Sequence, residues 1–158
     1  MNKSFLTAFA APFVAGLALS VCATTAMAAG KTSIVVGADT TFPPFETEVN
    51  GKVSGFDIDM IEAIAKAEGL TITLKTMPFN GIIPSLQAGS IDAAVAGITI
   101  KASRMQSVNF SDAYYKSGLS VLVKDNSKIK DFADLKGHVI ATKKATSSVD
   151  DMTAHGIK

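Results

Sequence analysis

Cysteine occurs once in this chain, arginine once and histidine twice. Cys22 stands inside an apolar leader, so the remainder carries no thiol. Disulfides and thiol catalysis are excluded there, and stability rests on the core. His138 and His155 sit in separate late segments without metal-ligand spacing, which gives each a structural role and implies no metal. No glycine-rich phosphate loop and no serine in a nucleophile elbow is present. Asp57 and Asp59 lie two apart near a helix start and point to different faces, so capping and solvation account for them better than paired acid–base work. Basic and acidic residues number 15 and 14. Removal of Lys3 with the leader leaves the rest formally neutral, without the basic field that draws nucleic acid.

The chain is 47% apolar and 18% charged, the balance of a globular protein. Its first residues combine Lys3, an apolar run from Phe5 to Val21, and Ala26-Met27-Ala28. That order describes a secretory signal over residues 1–28, cut after Ala28. The run is short and broken by Pro12, which argues against a transmembrane span. A lipoprotein signal favours a small residue before its cysteine, and Val21 occupies that position, so lipid attachment at Cys22 is the lesser reading.

Strands and helices then alternate. Ser33 to Ala38 reads as a buried strand, and Pro43-Pro44 stiffens the loop after it. Asn50-Gly51 signals a turn. Asp57 is placed to cap a helix running to Glu68, with Ile58, Ile61, Ile64 and Ala65 as its apolar stripe. Thr71 to Lys75 alternates like a strand, and Asn80 to Ala88 reads as a helix with Pro84 in its first turn. Strands are expected at 91–98, 117–123 and 139–141, with helices at 101–107, 131–136 and 148–155. The pattern predicts an α/β fold with a mostly parallel sheet covered on both faces. In such sheets ligands bind beyond the carboxyl ends of the strands, which are Asp39 to Phe42, Met77 to Asn80, Gly97 to Thr99 and Thr142 to Ser147.

Those segments hold binding chemistry. Phe42 and Phe79 are large rings in loops, either walls of a pocket or plugs of the sheet ends. Thr99 offers an N–H and a hydroxyl, and the Gly97 carbonyl is open to close approach. Arg104 is the one planar fork that holds a carboxylate with two parallel bonds; the alternative is a solvated surface arginine. Anion donors beside cation acceptors describe a zwitterion site, each charge-assisted bond contributing roughly 1.5–3 kcal/mol.

Five segments, Ala38-Asp39-Thr40-Thr41-Phe42-Pro43-Pro44-Phe45-Glu46, Gly55-Phe56-Asp57-Ile58-Asp59, Phe79-Asn80-Gly81-Ile82-Ile83-Pro84-Ser85-Leu86-Gln87, Ala96-Gly97-Ile98-Thr99-Ile100 and Asn109-Phe110-Ser111-Asp112-Ala113-Tyr114-Tyr115, stand in order. From Ser33 onward the chain resembles the periplasmic solute-binding proteins of polar amino-acid ABC transporters, family 3, with the glutamine-specific members as the nearest pattern. The resemblance implies a two-lobe periplasmic-binding fold: lobe one over 29–118, a crossing strand at 119–123, and 124–158 as the start of lobe two. Relatives continue by about another lobe, so the second lobe is expected to be only begun, and the chain is expected to bind weakly by itself.

By the same resemblance the chain is a non-enzymatic receptor, expected to be a monomer without cofactor, that hands a free polar amino acid to membrane permease subunits. Arg104, the Thr99 N–H and Ser147 beside Thr146 are expected on the carboxylate. The Gly97 carbonyl and Thr99 hydroxyl are expected on the ammonium, with Ile98 between them in the ligand-contacting run. Phe42 and Phe79 are expected around the side chain, and Asp39 and Lys143 on its amide. Family members carry glycine where this chain has Ala145. Dehydratases acting on cyclohexadienyl acids and sensing domains of receptors share the fold and are the alternatives.

Overall fold

The computed structural model describes residues 32–157. The leader, its proposed cut and Cys22 lie outside them. β1 (Ser33–Ala38) is the centre of a three-stranded parallel sheet, flanked by β5 (Thr71–Thr76) and β6 (Ala93–Val95) in the order β5-β1-β6. Its register pairs Ser33 with Thr71 and Val36 with Ala93. Helix α1 (Phe56–Ala67) connects β1 to β5, and α2 (Phe79–Gln87) carries the chain back across β1 to β6.

Alternation along β1 sends neighbouring side chains to opposite faces. Val36 and Ala38 pack with Ile58 of α1 and Val95. Val35 meets the opposite cluster, built on Ile82, Ile91 and Ala96 with Met77 and Leu86. Both faces of the sheet are therefore covered, as expected. Ile58 and Ala65 line the buried side of α1, whereas Ile64 is 48% exposed and falls outside the stripe assigned to it. A third cluster of Leu135, Met152 and Ile157 gathers the later segments, including α4 (Ser147–Ala154).

A second sheet, not foreseen beyond its turn, lies between β1 and α1. β2 (Thr41–Phe42), β3 (Glu46–Val49) and β4 (Lys52–Ser54) run antiparallel in order. Asn50 and Gly51 have φ 52° and 75°, the left-handed pair of a tight hairpin turn. The Pro43–Pro44 peptide is cis. The sheet is fastened to the start of α1, where Phe56 N and Asp57 N donate to the carbonyls of Pro44 and Phe45, each at 3.1 Å.

Other expectations change. Gly55, not Asp57, is the N-cap of α1, and Asp57 is fully buried within the first turn. Pro78 precedes α2, so Asn80 lies inside it. The strand expected over 91–98 is three residues long, because φ of +54° at Gly97 turns the chain out of the ladder. Residues 117–123 and 139–141 pair with no strand among the described residues, and Leu122 and Val139 are 99% and 91% exposed. The helix expected at 131–136 is one 3-10 turn, Ala133–Leu135. Among the described residues no helix is long and apolar enough to cross a membrane.

Gly55 is the tightest point of this arrangement. Its φ is +131°, and an added Cβ would stand 2.3 Å from the Phe45 carbonyl oxygen. Gly51 is also left-handed but has open space around it. Gly55→Ala is expected to cost on the order of 3 kcal/mol and Gly51→Ala only about 1 kcal/mol. Urea midpoints of the two variants check the difference.

Candidate functional site

A cleft of about 1090 Å³ opens beyond the carboxyl ends of β1 and β6. Asp39 forms its base immediately after β1 and is 4% exposed. Oδ1 accepts from the Thr41 N–H (2.9 Å) and hydroxyl (2.6 Å), and Oδ2 accepts from the Phe79 N–H (2.8 Å) and Lys143 Nζ (2.9 Å). Lys143 also donates to Thr41 Oγ1 at 2.6 Å. Burial pushes the Asp39 pKa up, but the bonds from Thr41 and Lys143 and the Lys143 charge outweigh it, and the net shift is downward.

Arg104 lies in α3 (Ala102–Met105), a helix of four residues and too short to present a macrodipole. Its side chain turns inward and the residue is 6% exposed. Nη1 donates to the Thr99 carbonyl (3.0 Å) and Nη2 to the Ala145 carbonyl (2.9 Å), with the guanidinium 5.5 Å from the centre of the Phe79 ring. Burial lowers its pKa from the usual value, and Asp150 opposes that. The fork therefore clips two backbone segments together across the chain. The helix start at the cleft is that of α4: Thr146 is its N-cap, and Ser147 and Ser148 line the opening. Thr99 Oγ1 and Ser147 Oγ share a hydrogen bond of 3.2 Å, and Lys101 pairs with Asp150 one turn further along. Ala145 has φ +64°, a left-handed conformation that explains why a glycine is expected there.

Phe42 is 44% exposed and lies against Gly97, where an added Cβ would meet the ring at 2.8 Å. Close approach to Gly97 is thus made by a ring of the chain itself. Phe42 stacks on Phe45, with centroids 5.3 Å apart, and Phe45 meets Tyr115 edge-on at 4.8 Å.

Asp39, Phe42, Phe79, Gly97, Ile98, Thr99, Lys143, Thr146 and Ser147 all line the one cleft. Arg104 stands behind its wall, between Thr99 and Ala145. Sequence reasoning missed Thr41, Phe45, Tyr114 and Tyr115, which also line it. The Tyr114-Tyr115 pair was a signal, since adjacent large rings after a polar loop are rarely left to solvent alone. Among the described residues no group of three or more His, Cys, Asp or Glu could hold a metal ion.

Residues 34–156 match the bacterial extracellular solute-binding proteins, family 3. The chain belongs to that family. It is 30% identical over 140 residues to the arginine-binding extracellular protein ArtP of Bacillus subtilis, covering 89% of this chain and 55% of that one. It is 42% identical over 123 residues to the glutamine-binding protein GlnH of the same organism, covering 72% of this chain and 43% of that one. Two structures of an ancestral arginine-binding protein, one bound to arginine and one to glutamine, superpose with TM-score 0.75 at 41% and 43% identity. They cover 80% of this chain, which spans 59% and 58% of theirs. The chain thus spans about half the length of the relatives it matches. Both relatives are named for binding an amino acid rather than for a reaction.

The Lys143–Asp39 pair generates a pH prediction. A carboxyl held below its ordinary value of 3.8 contributes stability above that pH and loses it as pH falls through the folded value. Lys143→Met removes one hydrogen bond and the charge, so the Asp39 carboxyl is expected to titrate at higher pH than in the wild type. Carboxyl-carbon NMR against pH reads this directly.

Proposed function

We infer that this chain captures a free polar amino acid outside the cytoplasm for delivery to a membrane permease, and that its ligand is glutamine. Family membership supports the class of activity. The ligand rests on one observation: the carboxylate at the side-chain end of the cleft is already saturated. Asp39 accepts four hydrogen bonds, one of them from a lysine. A carboxylate has about four lone-pair sites, so none is left for a guanidinium or imidazolium. Lys143 is 38% exposed at its side chain and spends two donors, on Asp39 and Thr41. Its third N–H serves a neutral acceptor, the carboxamide oxygen, and repels a cationic side chain. Asp39 then acts as the anchor that aims Lys143 and Phe79, and not as a free acceptor.

The other end takes what every amino acid shares. The α-carboxylate replaces the Ala145 carbonyl on Arg104 Nη2 and takes the N–H groups of Thr99 and of Ser147 at the start of α4. The Gly97 carbonyl and Thr99 hydroxyl accept from the ammonium. Phe42 and Phe79 flank the carbon chain. Exchange of one carbonyl for a carboxylate is a binding-selected change of the 143–147 segment, since only the bound state supplies the second negative oxygen.

Calorimetric titration of the chain with glutamine, arginine and histidine tests the assignment. Glutamine is expected to bind most tightly, and arginine binding tenfold tighter than glutamine overturns it. Lys143→Met releases Asp39 and is expected to move the preference toward arginine by tenfold or more, about 1.4 kcal/mol. Arg104→Ala is expected to weaken every ligand alike, by about 2–5 kcal/mol, because it holds the shared end.

A further inference from the structure

Beneath the cleft lies a pair of acids that the proposed ligand contacts do not use. Glu46 opens β3 and Asp57 sits in the first turn of α1; both are 0% exposed. Asp57 Oδ2 accepts from the Gly97 N–H (3.2 Å) and from the Tyr114 hydroxyl (2.7 Å). Asp57 Oδ1 and both Glu46 oxygens have no hydrogen-bond partner. Simultaneous ionisation of two adjacent buried carboxylates is strongly disfavoured, because neither is solvated and each repels the other. Their environments decide which one keeps the proton. Asp57 has an N–H, an O–H and the positive end of a 12-residue helix to stabilise its charge. Glu46 has none of these. A proton on Glu46, directed at Asp57 Oδ1, satisfies a donor and an acceptor that are otherwise idle.

We propose that Glu46 and Asp57 share one proton beneath the cleft, and that the pair positions Gly97 and Tyr114 for the ammonium end of the site. They are positioning residues: neither reaches the cleft, and Asp57 acts through the backbone it holds. The second half of the proposal rests on the amino-acid reading above; the shared proton does not. The groups facing Glu46 agree in direction. Burial, the adjacent Asp57 and the more distant Asp39 push its pKa up to about 9, and only Lys143 opposes them. Burial and the bond to Asp57 raise the Tyr114 hydroxyl well above its ordinary value, so it remains a donor throughout. At neutral pH the pair carries one charge. Ionisation of Glu46 above about 9 places a further buried charge beside Asp57.

The test follows the Gly97 amide of the 15N-labelled full chain by NMR from pH 6 to 11, in wild type and Glu46→Gln. Glutamine affinity is measured alongside at pH 7 and 10. In the wild type the Gly97 resonance is expected to shift with a midpoint near 9; in Glu46→Gln that transition is absent. The ligand's own ammonium loses its proton in the same range, so the binding readout is the difference between the two proteins. Between pH 7 and pH 10 the wild-type affinity is expected to fall at least tenfold further than that of Glu46→Gln. Asp57→Asn is expected to weaken glutamine about tenfold at pH 7. Stability supplies a check on folding. Glu46 is neutral when folded and ionised when unfolded, so its contribution is full below about 4.5 and declines as pH climbs toward about 9. Glu46→Gln, which cannot ionise, is therefore expected to unfold at a higher midpoint than wild type at pH 8. A Gly97 resonance without that transition, or one unchanged by Glu46→Gln, overturns the shared proton. Parallel affinity profiles overturn the positioning role. A Gly97 transition removed by Glu46→Gln, in a chain that binds no amino acid, supports the pair and defeats the ligand assignment alone.

Discussion

Four donors converge on the Asp39 carboxylate, and the cleft has its shape because they do. Thr41 is held two residues on, Phe79 at the start of α2 and Lys143 more than a hundred residues away. A buried carboxylate with fewer donors would pay desolvation without return, so each of the three segments is pinned where the acid needs it. The parallel sheet places Asp39 at the end of its central strand, between the ends of β5 and β6. Topology selects the location, and the charge then selects which loops may close over it.

A second clip does the same work from the opposite wall. The Arg104 fork joins Thr99 to Ala145 through two carbonyls. Both bonds are to neutral oxygens, and a charged acceptor forms a stronger bond with the same donor. In the proposed reading a negative ligand displaces one of these carbonyls from the buried guanidinium. The positive φ at Ala145 places that carbonyl within the fork's reach at a residue whose side chain resists the conformation.

Much of the fold was legible because apolar periodicity is a local signal. The centres of β1, α1, β5 and α2 follow from it, as do the strand ends that meet at the cleft. Arg104 was singled out by its rarity and does point inward. Several failures share a cause: they concern a partner far away in sequence. Residues 117–123 and 139–141 have strand composition, but a strand is a pairing and no described strand pairs with them. The run 91–98 is apolar throughout, yet Gly97 turns it aside to meet Phe42 and the side chain of Asp57. Asp57 looked like a cap because the position and residue type suit capping. Its actual partners, Gly97 and Tyr114, lie 40 and 57 residues away. Glu46 carried no warning at all, since an acid in an exposed-looking hairpin gives no hint that α1 will cover it.

The arrangement separates what is common to all amino acids from what distinguishes them. In the proposed reading Arg104, Thr99 and Ser147 meet the shared end, and these belong to segments tied to each other by Arg104 and the Thr99–Ser147 bond. Lys143 meets the variable end, anchored by its ion pair with Asp39. Phe79 touches both systems, through its N–H on Asp39 and its ring beside Arg104, and the Lys143 carbonyl joins them again by accepting from Thr146 at the start of α4. In the same reading a change in the Lys143–Asp39 pair alters the charge offered to a side chain. A scaffold of this kind is found with arginine bound in one structure and glutamine in another. In that reading selectivity lies in the Lys143–Asp39 pair, whereas the Arg104 fork serves the end that all amino acids share.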